Sequence, residues 1–239
     1  ANVVAQISLV EEGMNLKADH QLYDDETWGK REFLASTDER FRPVDAMNGP
    51  DGALYIIDMY RGIAQDQNFL TDELREQIFQ RQLDKPLGHG RIWRVRHTSG
   101  NADRVGPELA GAGDAQLAGY LSHSNGWVRD TAQRLLLARG AAVQPALISI
   151  AKGDNTLAAI HAVWTLHGRG ELSRKTVLEL LAIDDPQRQY QTFRAGRSTL
   201  QAQDMLAVAA TWRDAPEQLQ MQLAFSLGDY AKQPAVRSR

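Results

Sequence analysis

The sequence predicts an α+β chain in two parts, an antiparallel sheet followed by an all-α array of repeated helix pairs. Three observations predict it. Two short apolar runs, residues 44–47 and 54–59, flank a Gly49-Pro50-Asp51-Gly52 turn. Asp-Gly between apolar runs marks a tight hairpin, because glycine accepts the positive φ such a turn needs. Residues 90–96 then alternate apolar and charged side chains, as a strand with one buried face does. Beyond residue 113 the strand signals end, and residues 125–140 realign on residues 155–170.

In chain order, residues 2–10 read as a strand (Val3, Val4, Ile7, Leu9, Val10), residues 11–13 as a turn and 14–18 as the return strand. Residues 19–30 are polar, with Asp24-Asp25-Glu26 at their centre. Carboxylates on a loop suit Ca²⁺, but this spacing matches no EF-hand, and the segment reads as a solvated loop. Residues 31–36 form a short strand leading into the hairpin. Thr71 is suited to N-capping, and Asp72 and Glu73 follow where the helix dipole favours negative charge. With Leu74, Ile78 and Phe79 on one face, an amphipathic helix over residues 71–83 is expected between two strands. Residues 98–113, rich in Gly, Ala, Asn, Asp and Pro, read as a linker.

Both copies of the later repeat open on an asparagine, Asn125 or Asn155, and close on Arg139-Gly140 or Arg169-Gly170, a cation and a C-cap glycine. Weaker copies begin near Asp185-Pro186 and near residues 214–216. Partner helices are expected over 115–121, 143–151, 176–181 and 200–212. Helix pairs repeated in this way form an α-solenoid, since each pair buries its apolar face only by stacking on its neighbours. Trp127 and Trp164 read as packing between repeats. Residues 200–230 are polar at several expected core positions, which leaves their register open.

A composition of 43% hydrophobic and 24% charged residues is that of an ordinary globular chain. With no cysteine there is no disulfide, thiolate metal site or Cys-x-x-Cys-His haem attachment within these residues. No apolar run approaches the roughly 20 residues of a membrane span, and no signal peptide is read. The chain opens on Ala1 and reads as a mature product or an excised piece of a longer one. Residues 1–97 carry 12 basic and 17 acidic side chains, and the remainder 15 and 13, within a net charge of −3. Neither part has the dense basic face that phosphate backbones require, so nucleic acid is not an expected partner. The six histidines are scattered and give no metal-ligand pair. There is no Gly-x-Ser-x-Gly elbow, and Gly111-Ala112-Gly113 follows no strand, so no dinucleotide fingerprint is present.

A family pattern runs through the first part. Residues 33–38, then Arg40-Phe41-Arg42-Pro43-Val44, Gly49-Pro50-Asp51-Gly52-Ala53-Leu54-Tyr55, Asp58-Met59-Tyr60-Arg61-Gly62 and Gly90-Arg91-Ile92-Trp93-Arg94-Val95 carry it. They resemble the closing blade of a quinoprotein glucose/sorbosone dehydrogenase-like β-propeller, in particular that of large secreted or membrane-attached proteins that join such a propeller to HEAT repeats and a c-type cytochrome domain. Residues 115–170 add a HEAT-like match. The resemblance implies a partial propeller over 1–97, a linker over 98–113 and HEAT-like repeats over 114–239.

What the resemblance implies for function is the C-terminal part of a quinone-dependent sugar or polyol dehydrogenase, periplasmic or extracellular. In such an enzyme a base accepts the substrate hydroxyl proton while hydride passes to the quinone. Pyrroloquinoline quinone and Ca²⁺ are implied for the complete protein, and haem c for a domain outside this chain. The implied partners are the rest of the propeller, that cytochrome domain and a sugar or polyol. The innermost strand of each blade lines the propeller channel. On that footing Arg40 and Arg42 are the candidates for pairing with quinone carboxylates, since the planar guanidinium fork binds carboxylate bidentately. Asp38 and Asp45 are the candidates for acting on the hydroxyl. The other reading of these four is a set of salt bridges tying the blade to its neighbours. Asp51 and Asp58 read as turn-forming and strand-end residues. One blade closes no channel, so this chain alone is expected to be inactive and to hold no cofactor. The alternative function is an interaction scaffold, a solenoid with a β cap and no catalysis.

Overall fold

The computed structural model describes residues 2–64, 67–99 and 105–230. Residues 100–104 of the expected linker and 231–239 of the expected repeats lie outside the described residues. The chain divides into two compact units, residues 1–11 with 16–105 and residues 12–15 with 106–239. The first is a region of small antiparallel sheets and the second is helical, an α+β chain.

The strands are β1 (Val3–Val4), β2 (Gln6–Glu12), β3 (Asn15–Gln21), β4 (Tyr23–Asp25), β5 (Gly29–Arg31), β6 (Leu34–Ala35), β7 (Pro43–Asn48), β8 (Leu54–Asp58) and β9 (Arg91–Val95). They pair as β1 with β6, β2 with β3, β4 with β5, and β7-β8-β9. The acidic stretch expected as a loop is in fact the β4–β5 hairpin, with Tyr23 opposite Arg31. Its carboxylates act locally. Asp25 Oδ1 accepts the backbone N–H groups of Thr27 and Trp28, both at 3.0 Å, and Asp24 meets Lys30 Nζ at 2.5 Å.

The β7–β8 hairpin pairs Asn48 with Leu54 and Met47 with Tyr55. Its turn needs two glycines. Gly52 has φ +80°, and a Cβ on Gly49 would lie 2.2 Å from the Tyr55 ring. Asp51 Oδ1 accepts the Ala53 N–H at 3.1 Å, the local bond that makes Asp a turn former. β8 is the middle strand and pairs Ile56 with Trp93 of β9. Ile56, Phe41 and Ala53 are buried there. Between β8 and β9 stands α1 (Asp72–Gln80), capped by Thr71 Oγ1 on the Leu74 N–H at 3.2 Å. Ile78 is its buried residue, while Phe79 is exposed.

The helical unit contains α2 (Asp114–Tyr120), α3 (Gly126–Leu137), α4 (Gln144–Lys152), α5 (Thr156–Gly168), α6 (Arg174–Leu181), α7 (Pro186–Gly196), α8 (Ala202–Thr211) and α9 (Glu217–Leu227). The residues before α2, which composition reads as linker, belong to this unit, since Leu109 and Ala112 are buried in its core. Asn125, Asn155 and Asp185 cap α3, α5 and α7 through their side chains. α3 packs on α5, α5 on α7 and α7 on α9, while α2 packs on α4 and α4 on α6. α5 lies between α3, α4 and α7 and buries residues around much of its circumference (Ala158, Ala159, Ala162, Val163, Leu166).

Polar groups join successive helices at the same interval. The Arg169 guanidinium, its side chain 5% exposed, donates to the carbonyls of Leu136 and Arg139, both at 2.7 Å, and of Gly140 at 2.9 Å, and pairs with Glu171. These carbonyls end α3, one repeat earlier. A cation is favoured there because the last carbonyls of a helix have no partner within it. Arg139 also reaches back, but to the chain just before α2, donating to the Ala112 carbonyl at 2.9 Å. The polar core positions after residue 200 are likewise matched. Asp204 receives Arg174 in a bidentate pair at 2.7 and 2.6 Å and caps α8 through the Gln201 N–H. Buried Gln222 donates to Ser226 Oγ at 3.1 Å.

His161 of α5 links back to α3, accepting Arg129 Nε on Nε2 at 3.2 Å and donating from Nδ1 to Gln133 Oε1 at 2.7 Å. These partners fit the neutral ring, and burial lowers its pKa below the ordinary 6.5, with Arg129 adding to the effect.

Two outcomes are expected. Arg169→Ala leaves three helix-end carbonyls and Glu171 without their cation, and lowers the unfolding free energy of the helical unit by about 3 kcal/mol or more. Urea denaturation followed by circular dichroism measures it. Because the folded pKa of His161 is depressed, the unfolded chain binds the proton first. Stability is therefore fully present above pH 6.5 and falls as the pH drops from 6.5 toward the folded pKa. Urea midpoints across that window should decline for the native chain and decline less for His161→Gln.

Candidate functional site

The residues that carry the family pattern meet around the end of β8. Asp58 is its last residue and is 1% exposed. Oδ1 of this carboxylate accepts the backbone N–H groups of Arg42 and Tyr60, both at 2.8 Å, and Oδ2 accepts the Trp93 indole N–H at 3.0 Å. Three N–H donors replace the water that burial removes. The sequence reading of Asp58 as a strand-end residue thus describes its position but misses its work. Its donors lie on β9 and on the chain segments either side of the hairpin.

Tyr60 follows with φ +48°, a left-handed conformation that a bulky residue adopts only under constraint. It is held at both ends, through its N–H on Asp58 and its hydroxyl on Asp38 Oδ2 at 2.9 Å. Asp38 Oδ1 also accepts the Arg40 N–H at 2.9 Å. That backbone bond, the Tyr60 hydroxyl and the charges of Arg40 and Arg91 hold the Asp38 carboxyl below the usual carboxylate range. Asp38 is thereby a good acceptor of fixed hydrogen bonds and a weaker proton base. The Arg91 guanidinium lies over the Tyr60 ring at 3.6 Å and 5.6 Å from the Trp93 ring. Arg91 and Trp93 stand two apart on β9 and so share a face, a signal the alternating pattern of residues 90–96 contained.

The expected cofactor arginines are engaged elsewhere. Arg42 Nε and Nη2 donate to the carbonyls of Arg61 and Gly62, both at 2.9 Å. Arg40 Nε and Nη2 donate to the carbonyls of Lys85 and Gln82, at 2.9 and 3.0 Å. In each, the Nε–Nη2 edge that would clamp a carboxylate is taken by backbone of the loops after β8 and α1. As arranged, neither fits a quinone clamp. Asp45 is exposed and accepts only the Ala46 N–H among the described residues, at 2.8 Å. It pairs with Ile57 across the sheet, and neighbouring residues of a strand point to opposite faces, so Asp45 and Asp58 stand on opposite faces. The structure therefore joins Asp38 to Arg40, through a backbone bond, and not to Asp45. Among the described residues no three His, Cys, Asp or Glu side chains gather as a metal site.

Asp51 completes the hairpin end. The Ala53 N–H, Arg94 at 2.5 Å and the Tyr55 hydroxyl at 3.1 Å hold its carboxyl below the ordinary range. Arg94 of β9 thus ties the third strand to the turn between the first two.

Substitutions at Asp58 measure how far this end of the sheet depends on it. Asp58→Ala leaves three N–H donors without an acceptor and should lower stability by about 3 kcal/mol or more. Asp58→Asn keeps the acceptor for the two backbone groups but sets an amide N–H₂ against the indole N–H, at about 1–2 kcal/mol. Urea midpoints followed by tryptophan fluorescence should rank the native chain above Asn and Asn above Ala. An Ala variant as stable as the native chain would remove Asp58 from this role.

Residues 1–99 match the model of a family described as Domain of unknown function (DUF7133). No curated protein matches the chain. No solved structure matches it either.

Proposed function

We propose that the chain is the C-terminal part of a quinone-dependent sugar or polyol dehydrogenase of the glucose/sorbosone type, acting in the periplasm or outside the cell. In this reading β7-β8-β9 with α1 is the closing blade of a propeller, and the helix pairs form a HEAT-like solenoid. One observation supports it: most of the residues that bear the family resemblance, from Arg40 to Val95, fall on or beside the joints of a single three-stranded sheet. Arg42 binds the carbonyls after β8, Asp58 collects three N–H groups, Gly49 and Gly52 make the turn, and Trp93 closes on Asp58. In this reading the pattern records how the blade is built. The match of residues 1–99 to one family model supports treating this part as a module.

In this reading the chain has a non-catalytic part in the parent protein. A propeller channel needs about four or more blades around an axis, and quinone, Ca²⁺ and substrate would be held by the blades that complete it. Arg40 and Arg42 hold backbone, and Asp38 holds Tyr60 and the Arg40 N–H. The second reading, an interaction scaffold without catalysis, is favoured by the helical unit. There α3, α5, α7 and α9 contact in succession, as do α2, α4 and α6, as stacked repeats do.

The test is dye reduction with aldose or sorbosone in the presence of pyrroloquinoline quinone and Ca²⁺. The intact parent should reduce the dye, and the 239-residue chain should not. Activity of this chain at a rate comparable to the parent would overturn the blade reading. An inactive parent would leave the scaffold.

A further inference from the structure

A cleft of about 510 Å³ opens among β1, β6 and the β4–β5 hairpin. Clefts of this size hold small ligands. Trp28 lines it and is 76% exposed, although a Trp side chain gains more than almost any other from burial. The turn that carries Trp28 is fixed all the same. Asp25 Oδ1 accepts the Trp28 N–H at 3.0 Å, Arg31 Nε lies 3.5 Å from Oδ2 of the same carboxylate, and Gly29 takes φ +73°. The indole N–H of Trp28 has no partner among the described residues, and neither has the hydroxyl of Thr37, which also lines the cleft. Ser36 Oγ accepts the Asp38 N–H at 3.0 Å and keeps its own proton to donate. Glu32 uses Oε2 on His20 at 2.8 Å and keeps Oε1. The charges of the lining cancel, Asp25 and Glu32 against Lys30 and Arg31, and Lys30 is already met by Asp24 at 2.5 Å.

We propose that this cleft binds a neutral saccharide chain, with one sugar ring stacked on Trp28 and its hydroxyls bonded to Thr37, Ser36 and the second carboxylate oxygen of Glu32. Each part of the lining selects for that class. An exposed aromatic face takes a flat apolar partner. The charged groups are already paired, so an ionic ligand would compete with Arg31–Asp25 and with Glu32–His20 before it gained a partner. What is left over is neutral hydrogen bonding: two hydroxyls that both donate and accept, an indole donor and one carboxylate acceptor. A pyranose ring meets both demands, since its equatorial hydroxyls lie around the rim and leave C–H groups on the two faces. The lining includes none of Asp38, Asp45, Arg40 and Arg42, and binding consumes no quinone. The inference therefore goes beyond the dehydrogenase reading and does not rest on it.

The experiment is isothermal titration calorimetry of the 239-residue chain, without quinone, against cellohexaose, laminarihexaose and maltohexaose. At least one of these neutral glucose chains should bind with a Kd of about 1 mM or tighter, and equally well at about 50 and about 500 mM NaCl. Trp28→Ala should weaken binding about tenfold or more. Thr37→Val removes the hydroxyl, keeps the shape and should weaken it about threefold or more. Phe69→Ala removes another aromatic side chain, 82% exposed and outside the cleft, and should leave binding intact. Circular dichroism checks that each variant keeps its fold, and Trp28→Leu replaces Trp28→Ala if the latter does not. Absence of binding to all three chains overturns the proposal, as does an equal loss in Phe69→Ala, which would mean unspecific adsorption on exposed rings. Binding that falls steeply with salt, or a hexagalacturonate that binds more tightly than the neutral chains, overturns it too, in favour of an anion site. Dye reduction by the parent protein bears on none of these outcomes.

Discussion

A carboxylate buried in a three-stranded sheet has to be met by donors, and the way Asp58 is met fixes the geometry around the end of β8. Its three N–H partners come from Arg42, Tyr60 and Trp93, which are separate in sequence. Satisfying them holds the segment before β7, the chain leaving β8 and the strand β9 together. The left-handed Tyr60 follows from that constraint. A conformation that costs on the order of 1–3 kcal/mol persists only where its surroundings over-determine it, and here Asp58 and Asp38 hold the two ends of the same residue. The position of Arg91 over the Tyr60 ring is a further consequence. A buried polar group is thus used as a locating device, in a sheet too small to be located by hydrophobic packing alone.

The helical unit solves a similar problem by repetition. A helix end leaves carbonyls without partners, and short helices present many ends for the length of chain they contain. Arg169 reaches the end of α3, and Arg139 reaches the chain just before α2, so each of these arginines ties its own segment to one about thirty residues earlier. Asn125, Asn155 and Asp185 meanwhile close the N-termini of α3, α5 and α7 within their own repeats. The two ends of α3 are therefore satisfied differently, the start by its own Asn125 and the end by Arg169, whereas α5 ends locally on Gly170. The neighbour-directed bonds of Arg169 couple the end of α5 to the end of α3.

This difference between local and distant partners explains what was legible in the sequence. The β7–β8 turn was legible because Gly49, Asp51, Gly52 and Tyr55 act on each other across a few residues. The starts of α1, α3, α5 and α7 were legible because a capping side chain bonds the backbone two or three residues on. The Arg-Gly pairs read as closing their own helices, and Gly170 does close α5, with φ +70° and its N–H on the His167 carbonyl, while the arginines also reach back across about thirty residues. The acidic stretch around Asp24 reads as a loop because its polarity hides a hairpin whose carboxylates bond their own turn. Residues 200–230 left the register open because Asp204 and Gln222 look out of place in a core until Arg174 and Ser226 are set beside them.

The candidate site was the least legible, and for one physical reason. A sequence displays formal charges but not the backbone carbonyls, which are the commonest acceptors for an arginine. Arg40 and Arg42 stand among Asp38, Asp45 and a turn, and charge alone suggests that they await a carboxylate. In the fold each turns its Nε–Nη2 edge to carbonyls that no residue type announces. Arg91 reads as one more charged residue of an alternating strand, yet it is the guanidinium that stacks on an aromatic ring beside Asp38. Arg194 is a contrasting case, a cation on a helix face that lies over the Tyr190 ring and, among the described residues, has no carboxylate within ion-pair distance. The partner an arginine finds decides whether it acts as a structural clamp or as a binding group. In this chain such clamps stand in both units, Arg40 and Arg42 where the family pattern lies and Arg169 at the end of α3.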